Sequence, residues 1–164
     1  MNDLLFRCEV AYHEAGHAVV GYLTGNIPIM ATIVHDGESS GHVEYSQCRY
    51  AELKSVVHLP MEFVDVLEGH VLTTLAGIAA QDIFRISVGL GAGDDCDVSN
   101  ASLLMSLFDL DENENGPFLS AARSKAHEML ITHWRSVERI ATELLVWQTL
   151  DQQDIISLID DCEI

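Results

Sequence analysis

Apolar residues recur at three- and four-residue steps near the start of the chain: Leu4, Cys8, Ala11, Ala15, Ala18, Val19 and Tyr22. That is the spacing of one helix face, and it predicts a helix over about residues 3–24. Gly25-Asn26, with Pro28 just beyond, supplies the stop. Two short strand-like runs follow, 29–35 and 42–46, separated by the turn formers Asp36-Gly37-Glu38-Ser39-Ser40-Gly41, so a small β-hairpin is expected. Pro60 suits a first helical turn. Beyond it Phe63, Val64, Val66, Leu67, Val71, Leu72, Leu75 and Ala79 keep a helical period to about Arg85. Residues 87–95 read as a flexible acidic loop, followed by a helix to Phe108 and a second acidic loop over 109–116. Pro117 then opens one long helix through Ala126, Leu130, Trp134, Val137, Ala141, Leu144 and Leu145, and a short last helix lies near 151–160. No repeat or linker interrupts the pattern. It predicts a single domain over residues 1–164, mainly α with a small β-hairpin.

Composition narrows what such a domain does. The chain has 164 residues, 48% of them hydrophobic, a fraction too high for a disordered acidic tail. Its 26 Asp and Glu face only 8 Lys and Arg, giving a net charge of -18. So few cations cannot neutralise a run of phosphates, which argues against nucleic acid, and anionic headgroups would repel the surface. The N-terminus has no basic segment leading into an apolar one, and no uninterrupted apolar stretch is long enough to span a bilayer. Cys8, Cys48, Cys96 and Cys162 are scattered, without a C-x-x-C pair, and read as reduced thiols. A cytoplasmic location is expected.

Residues 13–17 carry the chemistry: His13-Glu14-Ala15-Gly16-His17, an H-E-x-x-H sequence inside the first helix. Histidines four apart lie one above the other on a helix, so both imidazoles reach one metal ion. Glu14 projects beside them, where a carboxylate accepts a proton from a metal-activated water. Chance would produce the pattern in roughly three of a hundred chains of this composition. Its setting in an apolar helix, where unpartnered histidines are costly, favours a metal. A catalytic zinc needs a third protein ligand and one open position. Val20 and Leu23 stand where the extended H-E-x-x-H-x-x-G-x-x-H pattern needs Gly and His, so that class is excluded. His35, His42, Glu44, Glu68, His70, Asp94, Asp95 and Asp97 are all candidates for the third ligand, and spacing does not choose among them.

The run Val10-Ala11-Tyr12-His13-Glu14-Ala15-Gly16-His17-Ala18-Val19-Val20-Gly21 resembles the zinc helix of the FtsH-type AAA-protease peptidase domain. Leu75-Ala76-Gly77-Ile78-Ala79-Ala80-Gln81-Asp82 is similar to that family's L-x-G-G-R-A-A-E helix. Gly91-Ala92-Gly93-Asp94-Asp95 is similar to its G-A-S-N-D segment, whose Asp binds zinc. The stretch from His133-Trp134 through Thr149-Leu150 resembles its last helices, so the likeness spans nearly the whole chain. The resemblance implies a zincin-like helical peptidase domain with His13, His17 and Asp95 as zinc ligands and Glu14 as general base. Glu14 would take a proton from zinc-activated water and pass it to the leaving amine. The strand near 42–46 would pair with an extended substrate. Ile78 and Gln81 replace the family's Arg and Glu.

No G-x-x-x-x-G-K-[ST] phosphate loop is present, so any partner ATPase is expected to act in trans. These features favour a zinc metalloendopeptidase cutting unfolded or flexible polypeptides without ATP. The competing function is a catalytically silent metal-binding module that docks on a partner ATPase or protease; retention of Glu14 argues against it. Family members assemble as rings, so a homo-oligomer is a further expectation.

Overall fold

The structure, a computed structural model, describes residues 3–37, 39–46, 64–91 and 112–161. Five helices occur among them: α1 (Asp3–Leu23), α2 (Val64–Ser87), α3 (Glu112–Thr132), α4 (Trp134–Trp147) and α5 (Gln152–Asp160). Three short strands, β1 (Pro28–Thr32), β2 (His42–Tyr45) and β3 (Thr149–Asp151), form an antiparallel sheet in the order β2-β1-β3. The architecture is therefore mainly helical with a small antiparallel sheet.

α1 occupies the centre. Its buried residues include Ala11, Ala15, Gly16, Ala18, Val19 and Val20, a wider face than the apolar stripe alone predicts, while Leu4 at its start is exposed. Small side chains on α1 meet small side chains on α2, where Ala76, Ala79 and Ala80 are buried. The two helices pack closely as a result. A Cβ built on Gly16 would stand 2.5 Å from the Ala80 Cβ and 2.6 Å from the Ala76 carbonyl oxygen. Gly16→Val should therefore cost at least the 1–3 kcal/mol, roughly, of an overpacked core. Urea unfolding checks this, and an unchanged midpoint would refute the close crossing.

α1 ends as the sequence predicts. Gly25 adopts a positive φ of 81°, and its N–H donates to the Tyr22 carbonyl at 3.1 Å. The hairpin is also as expected: Thr32 pairs with His42, Ala31 with Val43 and Met30 with Glu44. β3 is not foreseen by the sequence pattern. It adds to the other side of β1, pairing Ala31 with Leu150, and Thr32 and Thr149 join their hydroxyls across the strands at 2.8 Å. The chain enters β3 through Gln148, which takes the left-handed conformation at φ 66° and whose carbonyl accepts from Ile33 N at 2.9 Å.

The expected long helix from Pro117 is two helices. α3 begins earlier, at Glu112, inside the stretch that reads as a loop, and carries Pro117 within it. Gly116 precedes the proline, and a residue without Cβ relieves part of the clash that Pro imposes on its predecessor. The chain then breaks at His133. α3 packs on α2 whereas α4 packs on α1, so tertiary contacts impose a break that no Gly or Pro announces. The predicted core residues Ala126, Leu130, Val137, Ala141 and Leu144 are all buried. Trp134 and Phe84 both stack on Tyr12, at centroid distances of 5.6 and 4.3 Å. Burial first, then the neighbouring Glu138 and Cys8, push the Tyr12 phenol above its ordinary pKa, so it stays neutral. Trp147, by contrast, is exposed. The helix expected to end at Phe108 and the start at Pro60 lie outside the described residues. No described helix is long and apolar enough to cross a membrane.

Candidate metal centre

α1 and α2 run antiparallel, and their contact stripe advances four residues at a time on each. Glu9 meets Arg85, His13 meets Gln81, and His17 meets Thr73, with Gly77 between the last two pairs. Four-residue steps keep one row of side chains on one helix face. The H-E-x-x-H spacing on α1 is thereby matched by a row of complementary groups on α2.

His17 Nδ1–H donates to the Thr73 carbonyl oxygen at 2.7 Å, and His13 Nδ1–H donates to Gln81 Oε1 at 3.2 Å. Both partners are acceptors, which assigns the proton of each neutral imidazole to Nδ1. The other ring nitrogens, the two Nε2 atoms, face each other 3.1 Å apart. Two nitrogens on a tetrahedral zinc lie about 3.3 Å apart, from Zn–N distances of about 2.0–2.1 Å. The donor set thus suits zinc in type, tautomer and spacing.

Gly77 provides the room. A Cβ there would stand 2.6 Å from His13 Nε2 and tighter still against His17 Nε2. Only a residue without a side chain can stand this close to both nitrogens. Among the described residues no third His, Cys, Asp or Glu stands close enough to complete a set of three.

Glu14 is buried, at 5% exposure, on the side of α1 facing the hairpin. A Cβ on Gly41, at the start of β2, would stand 2.9 Å from Glu14 Oε1. A cavity of about 360 Å³ opens here, bounded by His13, Glu14 and His17 on one side and by His42, Val43 and Tyr45 of β2 on another. Tyr45 holds the strand against the helix, its hydroxyl donating to the His17 carbonyl at 3.1 Å. The floor is polar and internally bonded: Asn26 Nδ2 donates to Thr73 Oγ1 at 3.0 Å and to Thr24 Oγ1 at 3.3 Å.

The sequence-derived candidates separate. His13, Glu14 and His17 come together, and His42 and His70 line the same cavity. His35 lies exposed on the hairpin loop, where its Nδ1 accepts from Gly37 N. Glu44 is exposed beside His42, and Glu68 pairs with Lys125 at 2.7 Å. Asp94, Asp95 and Asp97 lie outside the described residues. Glu9, Thr73, Gly77 and Arg85 are missed by reading the chain for apolar periodicity. Their signal is the four-residue step 69-73-77-81-85, which mirrors that of the two histidines.

Neither a protein-family model nor a curated protein sequence matches the chain.

Proposed function

We propose that the chain is a zincin-like, zinc-dependent metalloendopeptidase, resembling the FtsH-type peptidase domain, that cuts unfolded or flexible polypeptide. The observation that carries this reading is the pair of Nε2 atoms, 3.1 Å apart in front of Gly77, on imidazoles whose Nδ1 atoms are held by Gln81 and the Thr73 carbonyl. His13 and His17 would hold the metal, with Asp95 as the third ligand by resemblance. Zinc bound there supplies a Lewis acid that lowers the pKa of a water towards about 7 and polarises a peptide carbonyl.

Glu14 handles the proton. Its carboxylate lines the cavity beside the two imidazoles, positioned to accept a proton from the attacking water and return it to the leaving amine. β2 orients the substrate. It is an edge strand among the described residues and runs along the cavity, so an extended peptide can add to it through backbone hydrogen bonds. An extended chain is what that edge selects, which is why unfolded segments are the expected substrates.

The test pairs zinc analysis with digestion of denatured casein. One zinc per chain, and cleavage that stops with a chelator and returns with zinc, is the expected result. Zinc-loaded protein that leaves casein intact would favour the silent docking module instead. Protein that binds no zinc would overturn both.

A further inference from the structure

Beyond the two imidazoles, a chain of polar groups runs away from the metal centre along the α1–α2 contact. Gln81 is its middle member. Its carbonyl oxygen accepts from His13 Nδ1, and its amide nitrogen donates to Glu9 Oε2 at 3.4 Å. This order has only one sense, because a carboxylate accepts and cannot donate, so the amide nitrogen must face Glu9 and the carbonyl must face the imidazole. Glu9 is a buried acid, exposed to 6%. Arg85 Nη1 donates to its other oxygen at 2.8 Å and, through Nε, to the Gly91 carbonyl at 2.6 Å.

We propose that Glu9 is the positioning carboxylate of the metal centre, acting on His13 through the Gln81 amide and held in place by Arg85. The inference rests on the metal-site reading above. A buried carboxylate is costly without partners, and here both of its oxygens are used. A metal-binding imidazole is usually oriented by a carboxylate or carbonyl on its other nitrogen, which fixes the tautomer and raises the basicity of the liganding atom. In this chain the group touching His13 is a neutral amide, and the negative charge stands one hydrogen bond further out. Each bond polarises the next in a low-dielectric interior. The amide therefore transmits the pull of Glu9 to Nδ1–H while keeping a full charge from direct contact with the ring. Arg85 fixes the carboxylate's orientation, so the chain has a single arrangement.

Zinc affinity, measured by competition with a chromophoric chelator, tests this without recourse to activity. Glu9→Gln and Gln81→Leu should each weaken zinc binding by about 10–100-fold, the usual effect of removing an outer partner of a metal ligand. Gln81→Glu alone should also weaken it, because two carboxylates would face each other across the Glu9–Gln81 contact. The double variant Glu9→Gln/Gln81→Glu exchanges carboxylate and amide, restores every donor to an acceptor, and should recover most of the lost affinity. A side chain that merely fills space would not be rescued by that exchange. Thermal unfolding of the metal-free proteins separates folding defects from metal effects. Wild-type affinity in Glu9→Gln and Gln81→Leu, or no recovery in the double variant, overturns the role of Glu9 and leaves the metal centre standing. If the wild-type chain itself binds no zinc, the metal centre fails and this role fails with it.

Discussion

Glu14→Gln is expected to lower cleavage of denatured protein by about 10²–10⁴-fold, the usual contribution of a general acid–base group, while zinc content stays at the wild-type level. Glutamine has the size of glutamate and fills the same buried position against Gly41. It cannot take up a proton in the working pH range. The surroundings of the site are kept: His13 and His17 retain their hydrogen bonds to Gln81 and the Thr73 carbonyl, and the β2 wall of the cavity is untouched. Initial rates on fluorescently labelled casein, compared at equal zinc occupancy, measure the effect. Activity within tenfold of wild type at full occupancy would remove Glu14 from the mechanism.

Gly77→Ala should weaken zinc binding strongly, and by a purely steric route. The added methyl would stand between α2 and both Nε2 atoms, 2.6 Å from that of His13. Neither side can retreat easily. α2 is locked to α1 one turn along by the Ala80–Gly16 approach, and each imidazole is tethered through its Nδ1. In an ordinary helix the same change would stabilise by up to about 1 kcal/mol. Overpacking costs about 1–3 kcal/mol, so the net effect on the metal-free fold is a modest loss. Zinc binding should fall by at least the 10–100-fold seen when an outer partner is lost, because the methyl would crowd both Nε2 atoms that would hold the metal. Chelator competition and urea unfolding together separate the two effects. A variant that binds zinc as tightly as wild type would show that the convergent nitrogens are not where the metal sits.

The α1 helix, its Gly25 stop and the hairpin are legible in the sequence because each depends on local signals: a helical apolar period, a glycine in the left-handed region, and turn formers between two short runs. The two histidines of the centre are legible for the same reason, since four residues make a helical turn wherever the helix packs. β3 is not, because three residues carry no period and Leu150 alone is buried. Nor is the break at His133, which follows from α3 and α4 choosing different neighbours. Gly77 illustrates the remaining gap. In sequence it is one small residue inside an apolar helix, and only the pairing of α2 with α1 places it before the imidazoles. Glu9 and Arg85 lie 76 residues apart and become partners only through the same crossing.

α1 touches each of the other described helices as well as β1 and β2. A helix so placed has no low-energy way to open by itself, because freeing it would undo the contacts of all its neighbours at once. Its amides belong to the slowest-exchanging class, those that reach solvent only when the whole fold opens. The imidazoles of His13 and His17 are carried on that rigid rod, so the fold itself sets the distance between them.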